Sequence, residues 1–147
     1  MKLLYEVNGS TLYVKGLDKN KCIIKEYGME PKEIKGNSRK IVDQSCINFG
    51  STLEGRMKAV GELTGFKYKS PIVVSEYQRL IMFPTLSYKE NDCAWLALDH
   101  VVDVKDSLRG VTILFDDNTV EEFNVSRYII LNQLAKAKGL YYNLFNK

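Results

Sequence analysis

Cys22, Cys46, Cys93 and His100 are the side chains best suited to nucleophilic or metal chemistry in this sequence. A catalytic cysteine needs a base, or a positive local field, to become thiolate. Cys46 lies just before an expected helix start and His100 is the single histidine, so an enzyme built on this pair is one reading to test. The opposing reading is that the cysteines are small buried hydrophobes and that His100 is structural within an apolar strand. A zinc site would need Cys or His pairs at short spacing. The gaps of 24, 47 and 7 residues along this series match no such template. No GxGxxG or GxxxxGK[ST] phosphate loop occurs. Asp99, Asp103 and Asp106 alternate with valines and read as the solvated face of a strand. The expectation is a protein that is not an enzyme and holds no metal or cofactor.

A second set of residues suits nucleic acid. Asn48, Ser51, Thr52 and Arg56 surround an expected helix N-terminus, where backbone N–H groups and small hydroxyls can meet phosphate. Lys58, Lys67, Lys69 and Arg79 follow close in sequence, and Arg39 and Lys40 precede them. Taken singly, each lysine reads first as a solvated surface charge, and Ser51 as a helix cap, a role that can coexist with phosphate contact. Tyr68 between two lysines is one aromatic, too few for a single-strand stacking platform. No helix-turn-helix is expected, because no helix is read just before the central one.

The elements that must position these residues are mostly strands. Leu3–Val7 and Thr11–Lys15 flank Asn8-Gly9-Ser10, a hairpin signal. Cys22–Tyr27 reads as a strand and Gly28–Lys40 as a mobile loop; Ile41–Phe49 fits neither period. Ser51 with Glu54 has capping-box spacing, and Leu53, Met57, Val60 and Leu63 then mark one helix face up to Gly65. Gly55 and Gly61 weaken that helix unless close packing requires them. Pro71–Tyr77 and Leu80–Phe83 read as paired strands, Ala94–Val104 as one long strand. Val111–Phe115 and Thr119–Val125 form a hairpin around Asp116-Asp117-Asn118. Ser126 caps a C-terminal helix that Gly139 is expected to break. The fold class is α+β: mainly antiparallel strands and hairpins, one central helix and one C-terminal helix.

The 147 residues suit a single domain with a core that needs no staples. No signal peptide or bilayer-spanning run is read, and an odd number of cysteines suits a reducing cytoplasm. The net charge of +3 is mild but unevenly spread. Met1–Met82 carries 14 Lys/Arg against 9 Asp/Glu, Phe83–Ser126 carries 3 against 9, and Arg127–Lys147 carries 4 against none. Such separation can present a basic face on a nearly neutral molecule.

Four motifs in order name a family. They are Ser45–Arg56 (SCINFGSTLEGR), Lys69-Ser70-Pro71-Ile72, Phe83-Pro84-Thr85-Leu86-Ser87 and Trp95. Together they resemble the ComK family of competence transcription factors, well over Ile41–Trp95 and more loosely to about Gln133. The resemblance implies an activator of DNA-uptake genes that binds paired A-tract and T-tract boxes, largely from the minor groove, as an oligomer. Narrow A-tract minor grooves attract Arg and Lys, which agrees with the residues present. It implies a DNA surface around Ser45–Arg56, with Asn48, Ser51, Thr52, Arg56 and Lys58 as contacts and Cys46, Phe49 and Leu53 as core. Longer family members continue into a basic tail with a segment used in adaptor-guided proteolysis. Leu140–Phe145 does not reproduce that segment, so an adaptor or protease partner is not expected. The expected partners are double-stranded A/T-rich DNA and a second copy, with no membrane. The alternative is an interaction module that modulates a full-length relative without binding promoters itself.

Overall fold

The strands of greatest apolar content carry almost no alternation: IVVS, LIMFP and AWLA are buried at every position. A sheet reads this way when both of its faces are covered. A computed structural model of the chain, describing residues 5–145, contains such a sheet. In chain order its elements begin with strands β1 (Thr11–Asp18), β2 (Lys21–Glu26) and β3 (Lys32–Lys35). Helices α1 (Ser38–Asn48) and α2 (Leu53–Thr64) follow, then β4 (Ile72–Ser75), β5 (Leu80–Pro84) and β6 (Ala94–Ala97). A 3-10 turn at Leu98–His100 leads to β7 (Val101–Ser107), β8 (Gly110–Phe115), β9 (Val120–Phe123) and helix α3 (Arg127–Phe145).

The large sheet is antiparallel with order β3-β2-β1-β6-β5-β4; a second antiparallel sheet has order β7-β8-β9. Side chains alternate across the large sheet, as the period of a strand requires. Val14, Leu80, Met82, Trp95 and Ala97 pack on one face with Ile41, Val42, Cys46 and Leu53 of α1 and α2. Ile81, Phe83, Ala94 and Leu96 pack on the other with the small sheet and with Ile130, Leu134, Ala137 and Leu140 of α3. The fold is therefore α+β, in layers around a sheet whose strands β4, β5 and β6 are covered on both faces while the edge strand β3 stays largely exposed.

Several local expectations are corrected. The segment read as a loop contains β3, and the unassigned Ile41–Phe49 lies mostly within α1, capped by Asn37, whose Oδ1 accepts from Lys40 N–H at 2.8 Å. A helix therefore does stand directly before α2, joined to it by residues 49–52 with Gly50 at φ 93°. The α2 cap is Thr52 rather than Ser51: Thr52 Oγ1 accepts from Gly55 N–H at 2.9 Å. Gly55 and Gly61 are close-packing points, since a Cβ would sit 2.8 Å from Ser51 Oγ and 3.2 Å from Phe66 O respectively. The long strand Ala94–Val104 is cut by the 3-10 turn, which passes the chain from one sheet to the other. Ser126 does cap α3, accepting from Ile129 N–H at 3.2 Å, but α3 runs through Gly139. Leu3 and Leu4 lie outside the described residues, and residues 5–7 join neither sheet. They are anchored by Val7 N–H donating to Ser45 Oγ at 3.0 Å.

Candidate nucleic-acid interface

The N-termini of α1 and α2 open on one surface groove of about 480 Å³, to which Arg39, Lys40, Thr52 and Tyr88 contribute. Ser38 anchors the start of α1, its buried Oγ donating to Cys93 O at 2.8 Å. Asp43 lines the groove, and its Oδ1 accepts from Leu53 N–H at 2.8 Å and so joins the two helices. Arg39 and Lys40 are exposed in the first turn of α1, which holds no acid. Cations there face the positive end of the helix dipole, at a typical cost of about 0.3–1 kcal/mol each. Burial gives neither side chain a structural reason for this position. Asp43 and Glu54 also line the groove, so its field is mixed, with the two cations on the α1 wall.

The structure brings only part of the expected set together. Arg39, Lys40 and Thr52 share the groove. Asn48 is exposed at the end of α1, where its Nδ2 donates to Glu6 Oε1, and Ser51 is half-buried in the interhelical turn. Lys58 is exposed on α2. Arg56 turns inward: its side chain is 13% exposed, Nη1 pairs with Glu76 at 3.0 Å, and Nη2 donates to Phe49 O at 3.2 Å. Lys67 and Lys69 follow α2 on a segment held to α3, where Gln133 Nε2 donates to Lys69 O at 2.7 Å. Arg79, at φ 52° in the β4–β5 turn, stands 5.5 Å from the Phe145 ring centroid. Cys46 and Leu53 are core, as expected, and Phe49 is half-buried. Sequence reasoning missed Asn37, although Asn is among the preferred helix caps.

The cysteine–histidine pair does not form. Burial pushes the Cys46 thiol up to about 12, against the partial opposing pull of the Arg56 charge. His100 contacts Asp116 through Nδ1 at 2.9 Å and Gly9 O through Nε2 at 2.6 Å. No group of three or more metal-ligating side chains occurs among the described residues, and no helix among them is long and apolar enough to cross a membrane.

The chain is similar to the competence transcription factor of Bacillus subtilis (strain 168), 31% identical over 146 residues, covering 92% of this chain and 72% of that relative. The family model described as ComK protein matches residues 2–147. The chain belongs to the ComK family. No solved structure matches it.

Proposed function

We propose that this chain is a cytoplasmic, sequence-specific DNA-binding activator of competence genes. It acts as a single domain that self-associates and binds A/T-tract promoter boxes largely through the minor groove. The observation that carries this reading is the family match over residues 2–147, with identity to a competence transcription factor across 92% of the chain. The groove between α1 and α2 supplies the chemistry. Arg39 and Lys40 extend from a helix N-terminus into solvent, where a phosphate or a narrow minor groove would neutralise them. Lys58, Asn48 and Ser51 flank that contact along the helix pair. Lys67, Lys69 and Arg79 form a further basic edge beside α3. Arg56 serves the surface from beneath, holding the interhelical turn at Phe49 and the β4–β5 turn at Glu76.

Fluorescence anisotropy tests it, with a duplex of paired A-tract and T-tract boxes and a G·C-rich duplex of equal length, at two salt concentrations. Tight, salt-sensitive binding that prefers the A-tract duplex is expected. Arg39→Gln with Lys40→Gln should weaken it and lower the salt slope by about 0.9 for each phosphate that is no longer neutralised. Equal weak binding to both duplexes, or none, overturns the reading in favour of an interaction module. An unchanged slope in the double variant removes the groove from the DNA surface.

A further inference from the structure

A furrow runs between β7 and α3 on the side of the molecule formed by the small sheet. Two hollows, of about 200 and 220 Å³, share Leu98 and Lys138 and so make it continuous. Its two walls carry opposite charge. Asp99 and Asp103 line the strand side, and Arg127 and Lys138 the helix side. Arg127 stands at one end, its Nε donating to Val104 O at 3.4 Å; Lys138 stands with Leu98 and Asp99 at the other. The floor is apolar, with Leu98, Val101 and Leu134.

The rim is apolar where solvent reaches it. Val102 is 59% exposed, Tyr128 74%, Leu131 42% and Tyr142 68%. Along α3 the outward residues Tyr128, Leu131, Ala135, Lys138 and Tyr142 recur at spacings of three and four, which puts them on one helix face. That face is separate from the buried stripe Ile130, Leu134, Ala137 and Leu140 that holds α3 to the core. An exposed apolar strip of this kind marks an interaction surface.

The charges select the occupant. An acidic partner would meet Asp99 and Asp103, and a basic partner would meet Arg127 and Lys138. The matching surface carries both signs in opposite order, and a copy of this furrow rotated about a two-fold axis along its length presents that order. We propose that two copies of this chain associate through the furrow, with Lys138 facing Asp99 of the second copy and Arg127 facing its Asp103. The contact is isologous, so each pair occurs twice. This rests on the self-association proposed above and is independent of the DNA groove, which lies with α1 and α2 on the other face of the large sheet.

The test is sedimentation velocity on the full chain and on the exposed charge variants Asp99→Lys and Lys138→Asp, with anisotropy on the A-tract duplex in parallel. The wild-type chain is expected to be dimeric. Each single variant is expected to raise the dimer dissociation constant at least about tenfold, because like charges then meet twice. An equimolar mixture of the two variants restores both pairs, so it should dimerise like the wild type. Wild-type and variants equally dimeric would overturn the furrow and leave self-association standing. A monomeric wild type would overturn both. Single variants that are monomeric but fail to rescue each other would overturn the proposed pairing.

Discussion

Lys25 Nζ and Asp117 Oδ2 lie 2.9 Å apart as a buried ion pair between the two sheets, with side chains only 7% and 4% exposed. Lys25 projects from β2, and Asp117 from the β8–β9 turn. Lys25 also donates to the carbonyls of Glu26 and Met29. Asp117 accepts from the backbone N–H groups of Gly28 and Thr119, both at 2.9 Å. The pair is thus fully hydrogen-bonded, the condition under which burying two charges is tolerated.

Removing one partner of this pair should cost far more than a surface ion pair does. Lys25→Met leaves the Asp117 charge buried without its cation, and a loss of roughly 3–5 kcal/mol is expected by urea denaturation. The pH dependence follows from the same site. Burial disfavours the Asp117 charge, but hydrogen bonds from Thr119, Gly28 and Lys25 outweigh it and hold the carboxyl well below the usual range. A carboxyl depressed in the folded state stabilises the fold above its unfolded pKa, and that stability is lost as pH falls toward the folded value. Denaturation between pH 6 and pH 3 should show the loss setting in below about pH 4. The slope should flatten in Asp117→Asn.

The turn between α1 and α2 gives a prediction that separates neighbouring residues. Thr52→Ala removes the α2 cap and should cost about 1 kcal/mol. Ser51→Ala should stay within about 0.5 kcal/mol, since Ser51 Oγ caps nothing. Arg56→Ala strips hydrogen bonds from Phe49 O and Glu76, and a loss of roughly 1–3 kcal/mol is expected. Glu76→Gln should cost less than about 1 kcal/mol, because Glu76 is 74% exposed. Thermal unfolding of the four variants checks the order.

The thiols should be silent in the native protein. Burial pushes Cys22 and Cys93 up to about 11 and Cys46 up to about 12. Iodoacetamide at pH 8 should therefore modify all three more slowly than a free model thiol. In urea the three should react together at the model rate. A Cys46 that reacts in the native state faster than the model thiol would reopen the cysteine chemistry.

The β4–β5 and β8–β9 hairpins and the start of α3 were legible because each has a strong local signal, whereas the hairpin expected at Asn8-Gly9-Ser10 did not form, since residues 5–7 join neither sheet. Asp116-Asp117-Asn118 turns the chain between alternating strands, and Ser126 precedes a helix with a clear apolar stripe. The Ser45–Arg56 motif located α2 and the family without revealing that α1 exists. Its buried side is Ile41, Val42, Ser45 and Cys46, with Ser38 at the start, so serines occupy core positions and blur the apolar period. Ser45 is tolerated there because its Oγ donates to Ile41 O at 2.8 Å while accepting from Val7 N–H. That long-range acceptor role has no sequence signature. The inward turn of Arg56 was hidden for a similar reason: Glu76 is distant in sequence and belongs to another turn. Gly139 misled because a single glycine costs a helix only about 1 kcal/mol, and the buried Leu140 beyond it outweighs that.

The strand order of the large sheet also fixes when it can be completed during synthesis. β1 pairs with β6, Val14 opposite Trp95, and β6 emerges some eighty residues later than its partner. The meander β1–β3 can form early but must wait with one edge open. The apolar runs of β4 and β5 emerge before Trp95 does, with no charged residue within either. Pairing across so long a loop is slow, and slow pairing leaves uncharged strands uncovered. The nascent chain therefore carries these uncharged strands without the partner strand β6 from the emergence of Ile72 to that of Trp95, and the face they turn to the small sheet and α3 stays open until residues 101–145 have followed.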